Sequence, residues 1–111
     1  MKLQFYPEEK LKKEILAIIG KYLDLKQYKV FFFGSRVSGK GDERSDIDIG
    51  IKGKEAVPPL SLSDIQEDLE NLPTLYKLDI VDFAQVDERF KKVALQCVEP
   101  LNETRKLHDK V

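Results

Sequence analysis

One cysteine, Cys97, is all the chain has, so neither an internal disulfide nor a cysteine-built zinc cluster is available to it. Long apolar runs are missing too. The strongest, Val30 to Phe33, falls far short of the ~20 residues that a membrane-spanning helix requires. There is no surplus of charge of either sign: 19 Lys and Arg stand against 20 Asp and Glu, a formal charge of −1. A protein devoted to nucleic acid would carry a basic excess for its phosphate contacts, so direct nucleic-acid binding is not expected. No repeat, low-complexity tract or Gly/Ser/Pro linker divides the chain. The opening Met-Lys-Leu-Gln-Phe-Tyr-Pro-Glu-Glu lacks a secretory apolar core and is acidic where a transit peptide is not. The 111 residues, 41% hydrophobic and 35% charged, therefore suggest one soluble cytoplasmic domain with a single core, spanning 1–111.

Pro7 followed by Glu8 and Glu9 has the form of a helix start, because proline needs no donor there and acids suit the positive end of the helix dipole. Leu11, Ile15, Ile18, Ile19 and Tyr22 follow at helical spacing, which predicts an amphipathic helix over 7–23. Tyr28 to Phe33 is a β-branched and aromatic run without polar alternation after Lys29, the pattern of a strand buried on both faces. The stretch from Gly34 to Ser45 is turn-rich and polar. Asp46 to Ile51 then alternates strictly, with Ile47, Ile49 and Ile51 on one face and Asp46, Asp48 and Gly50 on the other. A loop from Lys52 to Leu60 leads to Ser63 and Gln66, a capping-box pair, and to a helix carrying Ile65, Leu69 and Leu72 that Pro73 ends. Leu78 to Phe83 predicts a third strand and Asp87 to Val98 a last helix, in which Cys97 shares an apolar face with Phe90, Val93 and Ala94 and is expected in the core. The order is that of an α/β (α+β) domain. Residues after Leu101 are polar, and His108, Lys91-Lys92 and Arg105-Lys106 are expected in solvent.

The chemistry lies in two aspartates on a strand whose opposite face is isoleucine. Asp46 and Asp48 are two positions apart, so both carboxylates project to one side with Cα atoms roughly 6.5–7 Å apart. Like charges held so close cost energy unless a cation sits between them, and hard oxygen ligands suit Mg²⁺. A half-exposed strand with solvated acids is the plainer reading, although Asp is disfavoured in strands. The turn before it adds a second feature: Gly34-Ser35, then Arg36, Gly39 and Gly41. Glycines let backbone approach a phosphate, Ser35 offers a hydroxyl, and Arg36 or Lys40 offers a charge. A simple surface turn would need only one glycine. Gly34, Gly39 and Lys40 also nearly spell a P-loop, but Gly41 stands where its Ser or Thr should be. The polar residues after it run into a strand rather than a helix, which speaks against that assignment.

Taken together, Gly34-Ser35, a spacer of ten residues and Asp46-Ile47-Asp48 resemble the signature of the polymerase-beta-like nucleotidyltransferases, and in particular the minimal nucleotidyltransferase (MNT) domains. The resemblance extends over nearly the whole chain and implies a small mixed sheet of three to four strands flanked by helices. A third carboxylate on a later strand belongs to that family. On spacing alone Asp79 and Asp82 are both candidates, and being three apart they face opposite sides of a strand. The family pattern selects Asp79. The resemblance further implies that Asp46, Asp48 and Asp79 hold Mg²⁺, as two ions, and that Asp79 accepts the proton of the attacking hydroxyl. Gly34, Ser35 and Arg36 would bind the triphosphate of ATP, and AMP would be transferred with loss of pyrophosphate. Arg44 is a further candidate for a phosphate contact, and an aromatic near Gly34 for flanking a base.

Little chain remains beyond the expected sheet to form an acceptor site, so the acceptor surface should be small or come from a partner. MNT domains are commonly paired with HEPN-domain toxins, so the resemblance implies an antitoxin that adenylylates a tyrosine of its HEPN partner. Two other classes stay open. A binding module would neutralise a partner by contact, without label from ATP, and an antibiotic-modifying transferase would label an aminoglycoside instead.

Overall fold

The structure is a computed structural model that describes residues 3–41 and 44–102. His108 and Arg105-Lys106 lie outside them. The elements in chain order are α1 (Glu8–Tyr22), β1 (Tyr28–Phe33), α2 (Ser35–Ser38), β2 (Ile47–Gly53), α3 (Pro59–Glu70), β3 (Leu78–Asp82), α4 (Glu88–Ala94) and β4 (Glu99–Pro100). The strands form one mixed sheet in the order β3-β2-β1-β4. β1 runs antiparallel to both its neighbours, whereas β2 and β3 are parallel and are joined through α3.

Strand periodicity divides the sheet into two unlike faces. On one, Val30, Phe32, Ile47, Ile49, Ile51 and Leu78 pack against Leu11, Ile15, Ile18 and Ile19 of α1 and Ile65 and Leu69 of α3, forming the main core. Asp48 and Gly50 point the other way, where a smaller cluster of Phe31, Phe33 and Phe83 is covered in part by Val81, Val86, Ala94 and Leu95. The Phe33 and Phe83 rings meet edge-to-face with centroids 5.1 Å apart, and Phe31 meets Phe83 at 5.0 Å. Gly50 makes room for them, since a Cβ there would lie 2.6 Å from Phe31 Cζ and 2.7 Å from Phe83 Cε1. β1 is thus buried on both faces, as its unbroken apolar run requires.

Four features differ from the sequence reading. Helix α3 starts at Pro59, not at Ser63, because proline is at home in a first turn where no donor is needed. Gln66 is therefore not a capping residue. Its Nε2 donates to the Leu78 carbonyl at 2.9 Å and its Oε1 accepts from the Ile80 N–H at 3.0 Å, satisfying the open edge of β3. The polar turn holds one helical turn, α2, while the short β4 at the far edge makes the fourth of the three to four strands that the resemblance implies. Cys97 is exposed, not packed in the core. Its neighbours on α4 share that exposure, Phe90 at 43% and Val93 at 64%, because the phenylalanines of β1 and Phe83 already cover the sheet beneath. Among the described residues no helix is long and apolar enough to cross a membrane.

Candidate functional site

Where β1 ends, Gly34 turns the chain with φ 87° and ψ −165°, a left-handed φ that side-chain-bearing residues avoid. The turn tightens into α2: the Val37 and Ser38 amides donate to the Gly34 carbonyl, and the Lys40 and Gly41 amides to that of Ser35, each at 3.0–3.2 Å. A second constraint acts on Gly34. A Cβ there would press into the Asp48 carboxylate, lying 3.2 Å from Cγ. The close approach follows from register, because Phe33, the last residue of β1, is opposite Asp48 on β2. The loop then folds back so that Gly41 is enclosed between the Ser35 and Ser45 hydroxyls, at 2.8 and 2.7 Å from its Cβ position.

Register decides between the two aspartates of β3. Asp79 pairs with Asp48 across the parallel ladder and shares its face, whereas Asp82 pairs with Ile51 and turns to the core side. Asp82 is 4% exposed. Its two oxygens are committed to backbone, accepting from Val57 N–H at 2.7 Å and Ala84 N–H at 3.0 Å. It is a structural acid. Asp48 and Asp79 face a common cleft of about 1020 Å³, which Gly34, Ser35 and Lys40 also line. Asp46 sits one residue before β2 and outside the cleft lining, but its charge reaches Asp48. Burial, then the negative charges of Asp79 and Asp46, push the Asp48 carboxyl above the usual carboxylate range.

That crowding bears on whether a divalent ion fits. Hard oxygen donors with surplus negative charge are the donor set that Mg²⁺ prefers. Among the described residues no three Asp, Glu, His or Cys side chains are gathered into a cage. Mg²⁺ does not need one, since it is bound through one or two carboxylates with phosphate and water as its other ligands. Asp48 and Asp79 fit that role.

Arg36 departs from the sequence expectation. It is not part of the cleft lining; its guanidinium carbon lies 5.1 Å from the Tyr76 ring centroid and its Nη1 donates to the Ser45 carbonyl at 3.4 Å. Lys40 is the basic side chain of this turn that borders the cleft. Arg44 is exposed and away from it. The opposite wall was missed in the sequence. It consists of Phe90, Val93 and Cys97 on and after α4, with Arg89 and Gln96 beside them. Its signal was present in the apolar spacing of that helix, which was assigned to the core.

The chain is similar to known proteins in sequence and in fold. A probable protein adenylyltransferase MntA of Haemophilus influenzae is 29% identical over 102 residues, spanning 90% of each chain. A chain from the complex of tri-AMPylated Shewanella oneidensis HEPN toxin with MNT antitoxin has the same fold, with a TM-score of 0.70 at 14% identity, covering 94% of this chain and 79% of that one. A chain from a toxin–antitoxin crystal structure with AMP-PNP gives a TM-score of 0.69 at 18% identity, covering 86% of this chain and 75% of that one. Residues 13–106 match the family described as polymerase beta, nucleotidyltransferase, and a match over so much of the sequence shows that the chain belongs to it.

Proposed function

We propose that the protein transfers AMP from ATP to a tyrosine hydroxyl of a HEPN-domain toxin and silences the toxin by doing so. The observation that carries this reading is the alignment of Asp48 with Asp79 in one cleft with Gly34 and Ser35. The relative named a protein adenylyltransferase supports it, as do the toxin–antitoxin complexes of the same fold.

Each residue has a task. The Gly34 turn lets the triphosphate come close to backbone, the Ser35 hydroxyl donates to its oxygens, and Lys40 neutralises part of its charge. Asp48 and Asp79, with Asp46 adding charge, would hold Mg²⁺, which when bound supplies the positive charge that an in-line displacement at phosphorus needs. Asp79 takes the proton from the acceptor hydroxyl. The acceptor oxygen bonds to the α-phosphorus as the bond to the bridging oxygen breaks, and pyrophosphate leaves. Phe90 and Val93 offer an aromatic acceptor an apolar surface beside that carboxylate.

The direct test is incubation with Mg²⁺, ATP labelled at the α-phosphate and a HEPN-domain toxin. Label on a tyrosine of the partner, lost with EDTA, is the expected result. A tight, inhibitory complex that never takes up label would instead make the protein a binding module, and label on an aminoglycoside alone would make it an antibiotic-modifying enzyme. Within the same assay, Gly34→Ala should lower transfer about hundredfold, because a Cβ displaces the Asp48 carboxylate from its working position. The positive φ adds a stability loss of about 1–2 kcal/mol, read from urea unfolding.

A further inference from the structure

Asp46 lies in no regular element and is not in the lining of the Asp48–Asp79 cleft, yet it begins the aspartate pair, so its placement depends on what holds the loop on either side of it. We propose that Arg36 and Tyr76 form a bracket that fixes this loop and so positions Asp46 relative to the Asp48–Asp79 pair, an inference that rests on the transferase reading of the cleft.

Both flanks of Asp46 are tied to the same short segment. On one side the Ser45 carbonyl accepts from Arg36, whose guanidinium lies over the Tyr76 ring. On the other, the Ile47 N–H donates to the carbonyl of Lys77 at 2.8 Å. Tyr76 and Lys77 lead directly into β3 and Asp79. The segment is itself anchored: the Tyr76 hydroxyl accepts from the Gln4 and Phe5 amides, both at 3.1 Å, and the Tyr76 amide donates to Thr74 Oγ1 at 3.2 Å. From Gly39 to Asp46 the sequence has no apolar side chain to fasten the loop, and a guanidinium suits the task. Its face lies over an aromatic ring while its edge donates to a carbonyl, a planar geometry that a lysine ammonium does not reproduce. Arg36 is thus a positioning residue.

The full chain is assayed with its acceptor as Arg36→Lys, Arg36→Gln, Tyr76→Leu, Tyr76→Phe and the double variant Arg36→Gln/Tyr76→Leu. The first three should each lower kcat about tenfold and raise the Mg²⁺ concentration for half-maximal rate, with the KM for ATP within about twofold of the parent. Tyr76→Phe keeps the ring but loses the anchor at Gln4 and Phe5, and should fall between Tyr76→Leu and the parent rate. The double variant should be no worse than the poorer single one, since both remove one interaction. A rise in the KM for ATP in the Arg36 variants with Tyr76→Leu unaffected would mean that Arg36 holds the nucleotide, and would overturn the bracket. So would additive losses. Amide spectra give a readout that needs no turnover: Arg36→Lys and Tyr76→Leu should move the Ser45 and Ile47 signals alike, and Tyr76→Phe should move them less. Unmoved signals overturn the bracket, whereas an inactive parent with moved signals sinks only the transferase reading.

Discussion

Asp48→Asn is expected to lower AMP transfer by a factor of about 10³ or more while leaving the protein folded. Asn is nearly the same size, so the space beside Gly34 stays filled. The fold depends on the other face of β2, where Ile47, Ile49 and Ile51 are fully buried. What is lost is an anion where positive charge must be held, and several kcal/mol of charge stabilisation corresponds to about three powers of ten in rate. The substitution should also change the response to pH. Burial and the charges of Asp79 and Asp46 raise the Asp48 carboxyl in the folded state, so its proton is held more tightly there than in the unfolded chain. The stability this contributes is complete below the unfolded-state value and is lost as pH rises through the folded-state one. Urea unfolding of the metal-free parent should therefore show a stability loss across the acid range that Asp48→Asn lacks. At neutral pH the variant should be at least as stable as the parent. Mg²⁺ with ATP should raise the Tm of the parent more than that of the variant. A variant that transfers AMP at the parental rate would remove Asp48 from the chemistry.

Most of the cleft face was legible because strand parity is strict. Alternation placed Asp48 opposite the isoleucines, and the structure keeps it there. Alternation could not choose between Asp79 and Asp82, since each lies on a proper face of β3; the choice depends on the register between β2 and β3, which is set by long-range pairing. Arg36 shows the same limit. Its charge beside the glycines was visible, but Tyr76, which draws it out of the cleft, is far along the chain. Helical periodicity had a related weakness in α4. Spacing identifies an apolar face without saying what covers it, and Phe90 and Val93 proved to border the cleft. Helix α2 and the position of the fourth strand, β4, escape the sequence because segments of four and two residues are too short to carry a period. For α3, Pro58-Pro59 had the look of a loop although the second proline occupies the first turn of a helix.

The two aspartates of β3 should separate cleanly when each is changed. Asp79→Asn is expected to behave as Asp48→Asn does, losing transfer with little effect on unfolding. Asp82→Ala should do the reverse, costing about 3 kcal/mol and lowering Tm by about 10 °C. The carboxylate is nearly fully buried, and each of its oxygens accepts from a backbone N–H, those of Val57 and Ala84. Truncation leaves both donors without that partner in a site that excludes water, and buried donors of this kind are costly to strand. Asp82→Asn gives no full rescue, because its amide has one accepting oxygen and directs an NH₂ group at the second donor. It should fall between Ala and the parent in urea unfolding. Val57 opens the approach to α3, and Ala84 follows β3, so the acid ties together the two ends of the β2–α3–β3 crossover. That crossover sets the register that places Asp79 beside Asp48. At temperatures where Asp82→Ala remains folded, its transfer rate should stay close to that of the parent. An early loss of transfer, before any unfolding, together with full activity in Asp79→Asn would make Asp82 and not Asp79 the third carboxylate of the site.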